Sequence, residues 1–213
     1  AIAQNKQVLY LLPEIALTTQ ITNRLKAIFG NKLAVYHSKF NDNERAETWN
    51  NVLKEEGTQI ILGARSAIFL PFNNLDLIIV DEEHESSYKQ QDPAPRYNAK
   101  NAAIVLGSLY NAKVLLGTAT PSIETYHNAL TGRYGLIKLL NRHKDIELPR
   151  IEIVNTKEFR RKKQMKGALS PTLIKKMQET LSNKEQVILF QNRRGFSSML
   201  ECSNCSWTPR CSH

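Results

Sequence analysis

The sequence predicts an α/β protein in which a parallel sheet is flanked by helices. Three observations lead there. Short runs rich in Val, Ile and Leu recur between Val8 and Leu116, each apolar on both faces, as strands buried inside a parallel sheet are. Segments with apolar residues at helical spacing separate these runs. Short polar motifs follow several runs directly, at the carboxyl edge of such a sheet, where open α/β folds bind ligands.

The elements follow in order. Residues 8–12 form an apolar run stopped by Pro13, and Leu17, Ile21, Leu25 and Ile28 recur at helical spacing before Gly30, predicting strand, turn and helix. Residues 33–36 predict a second strand. Asn41 with Glu44 three residues on is a capping-box pattern, opening a helix expected to bury Ala46, Trp49, Val52 and Leu53. Runs at 59–62, 75–80 and 114–116 predict three more strands, with helices over 98–110 and 121–130, the latter closed by Gly132. Between 133 and 167 the periodic order weakens to two possible strands, 136–139 and 151–155. Ser170 as N-cap and Pro171 at the first helical position then open a helix to about residue 181, followed by a strand at 186–191. The expected division is a first unit over 1–135, a basic connector over 136–169 and the start of a second α/β unit over 170–213.

Of the 213 residues, 29 are Lys or Arg and 20 are Asp or Glu, a net charge of +9. The spread is uneven. Residues 1–135 carry 13 basic and 13 acidic side chains, residues 136–170 carry 10 against 4, and residues 171–213 carry 6 against 3. Five of the seven residues from 160 to 166 are basic, which suits a polyanion and equally describes a solvated segment. No apolar run approaches the roughly 20 residues that span a bilayer, and the first residues lack the order of a signal peptide, so no membrane partner is expected. The three cysteines, Cys202, Cys205 and Cys211, fall close together, unlike a distributed disulfide framework, and a reducing cytoplasm is expected.

The densest chemistry follows the run at 75–80: Asp81, Glu82, Glu83 and His84. An Asp at the end of an apolar strand can hold the Mg²⁺ that bridges nucleotide phosphates, and the next Glu can orient or deprotonate an attacking water. The same four residues are compatible with a solvated turn. The run at 114–116 ends in Gly117, Thr118, Ala119, Thr120, Pro121 and Ser122, whose short hydroxyl side chains can bond an acid, a His or a phosphate, or cap the next helix at Thr120. Leu12, Pro13 and Glu14 follow the first run, and Gly63, Ala64, Arg65 and Ser66 follow the third. Four strands thus deliver polar motifs to one edge.

The series LLPEIALT, GARSAIF, DEEH, GTATPS and VILFQNRRGFS, in that order, resembles the motifs of superfamily 2 DNA helicases with a DEAH-like box. More narrowly, LLPEIALTTQ, HSKFNDNER, DEEHESSYKQQDPAPRYNAKNAA, GTATPSIET, LSPTL, QVILFQNRRGFS and the cysteines are similar to bacterial replication-restart helicases, the primosomal protein N′ family. The resemblance covers essentially the whole chain. It implies a RecA-like parallel sheet as a partial first helicase lobe, a connector, and the start of a second lobe with a partial zinc-binding module. It implies Asp81 as Mg²⁺ ligand, Glu82 as the residue activating water, His84 as the link between nucleotide and DNA sites, and Thr118 and Thr120 as coupling residues. Pro13, Glu14, Thr18, Arg65 and Ser66 would line the DNA groove. Tyr88, Lys89, Arg96 and Tyr97 match an aromatic-rich loop sensing single-stranded DNA, consistent with rings that stack on bases and cations that neutralise phosphate. The alternative is that the tyrosines pack a surface loop.

The cysteine spacing, Cys202-x2-Cys205-x5-Cys211-x-His213, offers three thiolates for Zn²⁺, while a closed structural site needs four ligands. His213 as the fourth and thiols without metal both stay open. No GxxxxGK[ST] loop occurs in the sequence, and the resemblance places that loop upstream of Ala1. The expectation is therefore a piece of an ATP- and Mg²⁺-dependent, zinc-containing DNA helicase of the bacterial cytoplasm, inactive as an isolated piece. It would remodel stalled forks with forked and single-stranded DNA, primosome proteins and single-strand-binding protein as partners. The rivals are another superfamily 2 nucleic-acid translocase and a non-catalytic zinc-containing nucleic-acid-binding module.

Overall fold

A computed structural model describes the chain except residues 14–18, 38–39, 55–56, 142–146, 192–201, 203–204, 206 and 209–213. The chain divides into two units, Ala1–Leu139 and Leu140–His213.

In the first unit, strands β1 (Gln7–Leu11), β2 (Leu33–Tyr36), β3 (Ile60–Gly63), β4 (Leu75–Val80) and β5 (Lys113–Leu116) form one sheet in the order β2-β3-β1-β4-β5. All four pairings are parallel, with Leu9 opposite both Ile61 and Ile78. Parallel neighbours need long crossovers, and the helices provide them: α1 (Thr19–Phe29), α2 (Asp42–Lys54) and α3 (Ala99–Tyr110), with α4 (Ile123–Leu130) following β5.

Because strand side chains alternate, the runs feed two cores. Leu9, Leu11, Ile61, Ile78 and Val80 pack on one face with Val52 of α2 and Ala99 and Ala103 of α3. Val8, Leu33, Ile60 and Leu62 pack on the other with Ile21, Leu25 and Phe29 of α1. Each fully buried aliphatic side chain stabilises the unit by about 1.5–3 kcal/mol. Covering both faces explains why the strands read as continuous apolar runs. The parallel pairing puts all their carboxyl ends along one edge.

The capping box read at Asn41 forms. Asn41 N–H donates to Glu44 Oε2 at 3.1 Å and Glu44 N–H donates to Asn41 Oδ1 at 2.9 Å, a capping box closed in both directions. Asn98 caps α3 by accepting from Asn101 N–H. The buried face of α2 differs from expectation: Thr48 and Val52 point inward, whereas Ala46, Trp49 and Leu53 are exposed. Thr48 tolerates burial because its hydroxyl donates to the Glu44 carbonyl at 2.9 Å. At α4 the N-cap position is Ser122 rather than Thr120, and its side chain makes no capping bond, its hydroxyl donating to Glu83 instead.

In the second unit, α5 (Thr156–Arg161) and α6 (Pro171–Ser182) are the helices among the described residues. Ser170 Oγ accepts from Leu173 N–H at 3.2 Å and Pro171 opens α6, as expected. The run at 151–155 is not a strand; its last residue, Asn155, instead caps α5. The run at 186–191 is also irregular, with Ile188 94% exposed, and so is 136–139 in the first unit. Strands require paired neighbours, and none of these runs has one among the described residues. The five cations between 160 and 166 are all exposed. Among the described residues, no helix is long and apolar enough to cross a membrane.

Candidate active site at the sheet edge

The carboxyl ends of β1, β3, β4 and β5 converge where the sequence places its polar motifs. Directly after β4, Asp81 N–H donates to the Leu11 carbonyl at 3.0 Å, continuing the ladder onto the end of β1. Its carboxylate accepts the Tyr10 hydroxyl at 3.0 Å on Oδ2 and the Glu82 N–H at 3.0 Å on Oδ1. An ionised carboxylate has about four lone-pair sites, so these two bonds leave acceptor capacity for a cation or its waters. Burial, reinforced by the charge of Asp81 and the hydrogen bond to it, pushes the Tyr10 hydroxyl up to about 12.

Glu82 adopts φ 47°, in the left-handed region unusual for a residue with a side chain. This turn sends the three following groups in different directions. Glu82 is exposed, and its Oε2 lies 3.5 Å from His84 Nδ1. Glu83 is turned inward and is 2% exposed. Its carboxylate accepts from Lys100 Nζ of α3 at 2.8 Å and from Ser122 N–H at 2.7 Å, with the hydroxyls of Ser122 and Thr125 at 3.0 and 2.9 Å. Desolvation pushes the Glu83 carboxyl up, but the bonds from Lys100, Ser122 and Thr125 together outweigh it and hold the group below the usual carboxylate range. Only two of the three acids therefore face the edge.

His84 Nδ1 lies 2.8 Å from Thr118 Oγ1, and Thr120 Oγ1 stands 3.4 Å from Nε2. Thr118 Oγ1 also accepts the Thr120 N–H at 3.0 Å. The DEEH and GTATPS motifs, 34 residues apart for His84 and Thr118, thus meet through side chains.

The remaining sequence-predicted residues spread along the edge. Pro13 is buried beside Leu12, whose N–H donates to the Gly63 carbonyl at 2.9 Å; Glu14 and Thr18 lie outside the described residues. Gly63 is required by close approach, since a Cβ there would sit 2.8 Å from the Tyr36 carbonyl oxygen. Arg65 and the half-buried Ser66 begin a short 3-10 turn, and the Arg65 guanidinium donates to the Ser87 carbonyl at 3.2 Å. Lys89 and Arg96 are exposed and joined by a bond from Lys89 Nζ to the Arg96 carbonyl. The half-buried Tyr97 ring meets Phe69 edge-on, with centroids 4.8 Å apart.

Tyr88 departs from expectation. It is 1% exposed, and its hydroxyl lies 2.6 Å from the Asp81 carbonyl and 3.1 Å from that of Leu11. Its ring is part of the core, and no face of it is open to a base. Sequence reasoning missed Tyr10, Phe69, Lys100 and Thr125, whereas Ser122, named among the hydroxyl residues able to bond an acid, bonds Glu83. Tyr10 had a legible signal, a hydroxyl within an otherwise aliphatic strand.

Cys202 and Cys205 are exposed, and Cys202 N–H donates to the Trp207 carbonyl at 2.8 Å. Cys211 and His213 lie outside the described residues. No group of three or more metal-binding side chains occurs among the described residues. Two thiols supply half of a tetrahedral site, so the described residues do not by themselves fit Zn²⁺.

Residues 1–129 match the family model for the DEAD/DEAH box helicase. Over 212 residues the chain is 42% identical to the replication restart protein PriA of Bacillus subtilis (strain 168), covering 100% of this chain and 26% of that protein. It is 42% identical to the protein of that name from Chlamydia pneumoniae, covering 100% of this chain and 28% of the other. For Rickettsia conorii the identity is 44%, with 99% and 32% covered. The chain spans between a quarter and a third of the length of these relatives.

Proposed function

We propose, on the premise that this chain belongs to the DEAD/DEAH box helicase family, that it works within an ATP-driven DNA helicase that remodels stalled or abandoned replication forks and promotes replication restart. The observation carrying this reading is the 2.8 Å contact between His84 and Thr118, which connects the acidic turn after β4 to the loop after β5. A helicase must convert hydrolysis into motion, and a side-chain bridge between two loops is a physical means of doing so.

Bound Mg²⁺ and ATP would supply the phosphoryl electrophile and neutralise its developing charge. Asp81 has the acceptor capacity to hold the cation, and the bonds from Tyr10 and Glu82 N–H orient its carboxylate. Glu82, exposed beside it, takes the role of aligning and deprotonating the attacking water. His84 links the nucleotide and DNA sites, and Thr118 and Thr120, in contact with it, couple hydrolysis to lobe movement. On the DNA side, the partly exposed Arg65 and Ser66 line the groove of the first lobe, Lys89, Arg96 and Tyr97 add cations and a ring, and the buried Pro13 shapes the backbone there without meeting DNA; Glu14 and Thr18 are assigned to the same groove by their motif alone. Exposed cations there neutralise phosphate, and the Tyr97–Phe69 pair offers an aromatic platform.

In this reading residues 1–135 belong to the first lobe, 136–169 to a basic connector and 170–213 to the start of the second lobe and a partial zinc-binding module in which Cys211 joins Cys202 and Cys205 as a third ligand. Forked and single-stranded DNA are the substrates, primosome proteins and single-strand-binding protein the partners, and the bacterial cytoplasm the compartment. The test is steady-state ATP hydrolysis by the full-length protein with forked DNA, single-stranded DNA and no DNA. Hydrolysis should rise with DNA and be highest on forks. A protein that binds DNA but shows no DNA-stimulated turnover would be a binding module, and the helicase reading would fail.

A further inference from the structure

The segment between β5 and α4, residues 117–122, carries Thr118 and Thr120 out to His84, and one residue holds both of its ends. At the first end, Glu83 N–H donates to the Gly117 carbonyl at 3.1 Å, while Gly117 N–H donates to the Val80 carbonyl at 2.8 Å. At the second, Glu83 Oε1 accepts the Ser122 N–H at 2.7 Å, and Oε2 meets the hydroxyls of Ser122 and Thr125. Lys100 Nζ reaches Oε2 at 2.8 Å and stands 3.1 and 3.2 Å from the same two hydroxyls. Three elements therefore close on one carboxylate: the turn after β4, α3 and the first turn of α4.

The Glu83 side chain is wholly covered and Lys100 nearly so. Glu83 thus cannot touch a nucleotide, a cation or DNA, although it sits between two residues that face the edge. A buried carboxylate is costly unless its donors and countercharge are in place, so it tolerates few arrangements of those donors. That intolerance is what a positioning device needs. With both ends of the loop fixed, the span between them has little freedom, and the hydroxyls of Thr118 and Thr120 are held against the imidazole.

We infer that Glu83 and Lys100 are positioning residues that clasp the 117–122 loop so that Thr118 and Thr120 meet His84, and thereby set how far DNA stimulates hydrolysis. This rests on the assignment of Asp81 and Glu82 as the hydrolytic pair. The clasp acts through the loop and not through ATP, so loosening it lowers turnover with little change in nucleotide binding.

The test uses the full-length protein carrying Glu83→Gln, Lys100→Met, Lys100→Arg or Thr125→Val, with folding followed by thermal melting. Amide hydrogen exchange over 117–122 reports the clasp independently of activity, and ATPase with and without forked DNA reports its effect. In Glu83→Gln and Lys100→Met the loop amides should exchange at least about 10-fold faster while those of β4 and β5 stay protected. DNA-stimulated kcat should fall about 10-fold or more, with KM for ATP changed by less than about 3-fold. Lys100→Arg keeps the cation and should recover most of the lost turnover. Thr125→Val, which removes one neutral donor, should shift both readouts in the same direction by a smaller factor and decides the matter if the stronger variants do not fold. Wild-type kcat with a loosened loop, an ATP KM rising in step with the loss of kcat, or Lys100→Arg no better than Lys100→Met would each overturn the inference. Near-normal turnover in Glu82→Gln would instead remove the hydrolytic assignment, and the exchange data would still report whether the clasp holds the loop.

Discussion

Glu82 and Glu83 are chemically identical neighbours placed in opposite surroundings. Glu82 stands in solvent near His84 with little to hold it, whereas Glu83 is enclosed among Lys100, Ser122 and Thr125. The difference teaches that an acidic motif is not a set of equivalent acids. A carboxylate meant to meet water must keep its acceptor capacity, and one meant to organise a loop must spend it. The left-handed backbone of Glu82, at φ 47°, separates the two tasks.

The sharpest way to break this comparison is to remove one charge at a time. Glu82→Gln in the full-length protein should lower ATP turnover by about 10² to 10⁴ with little effect on DNA affinity or melting temperature. Asp81→Asn should also raise the KM for Mg²⁺-ATP, since it weakens a cation ligand as well as turnover. Steady-state kinetics over a Mg²⁺ series distinguishes them. The inner acid should behave in the reverse manner: Glu83→Ala strands the Lys100 charge and should cost about 3–5 kcal/mol of stability, measured by urea unfolding. A Glu83→Ala protein as stable as wild type would erase the distinction.

A smaller effect comes from Tyr10, the strand residue that orients Asp81. Its folded pKa of about 12 exceeds the value of 10.0 for a free phenol. The stabilising contribution is then fully present below pH 10 and is lost as pH rises through about 12. Tyr10→Phe should flatten that part of the alkaline stability profile, and ultraviolet titration should lose one late-ionising phenol.

The sheet was legible because its strands are buried on both faces and read as unbroken apolar runs, and two helix starts because Asn41 and Ser170 bond the orphan amides in their usual way; Thr120, read as a cap, leaves that position to Ser122. His84 and Thr118 were legible as residues at one sheet edge, and their contact depends on the pairing of β4 with β5, which the runs alone do not reveal. What escaped notice depends on three-dimensional company. Trp49 and Leu53 look like a buried face until the neighbours choose Thr48 and Val52. Lys100 has the sequence appearance of a solvated helix residue, and nothing in DEEH says which acid turns inward. Tyr88 sits in a polar stretch, yet its ring fills the core because its hydroxyl finds two carbonyls. The runs at 151–155 and 186–191 carry a strand composition, but composition does not supply a pairing partner.

The order β2-β3-β1-β4-β5 has a consequence for synthesis. Of these five strands the earliest in sequence lies in the middle of their order: Val8 pairs with Ile60 on one side and Leu77 on the other. While the ribosome adds the intervening residues, β1 leaves the exit tunnel as an apolar ribbon with both edges vacant. Its partners form only after β3 and β4 have followed it out. Non-local parallel pairing of this kind assembles slowly and exposes aggregation-prone surface in the interval. Within this sheet, the interval between the emergence of residue 11 and that of residue 80 is therefore the one in which β1 calls for chaperone protection.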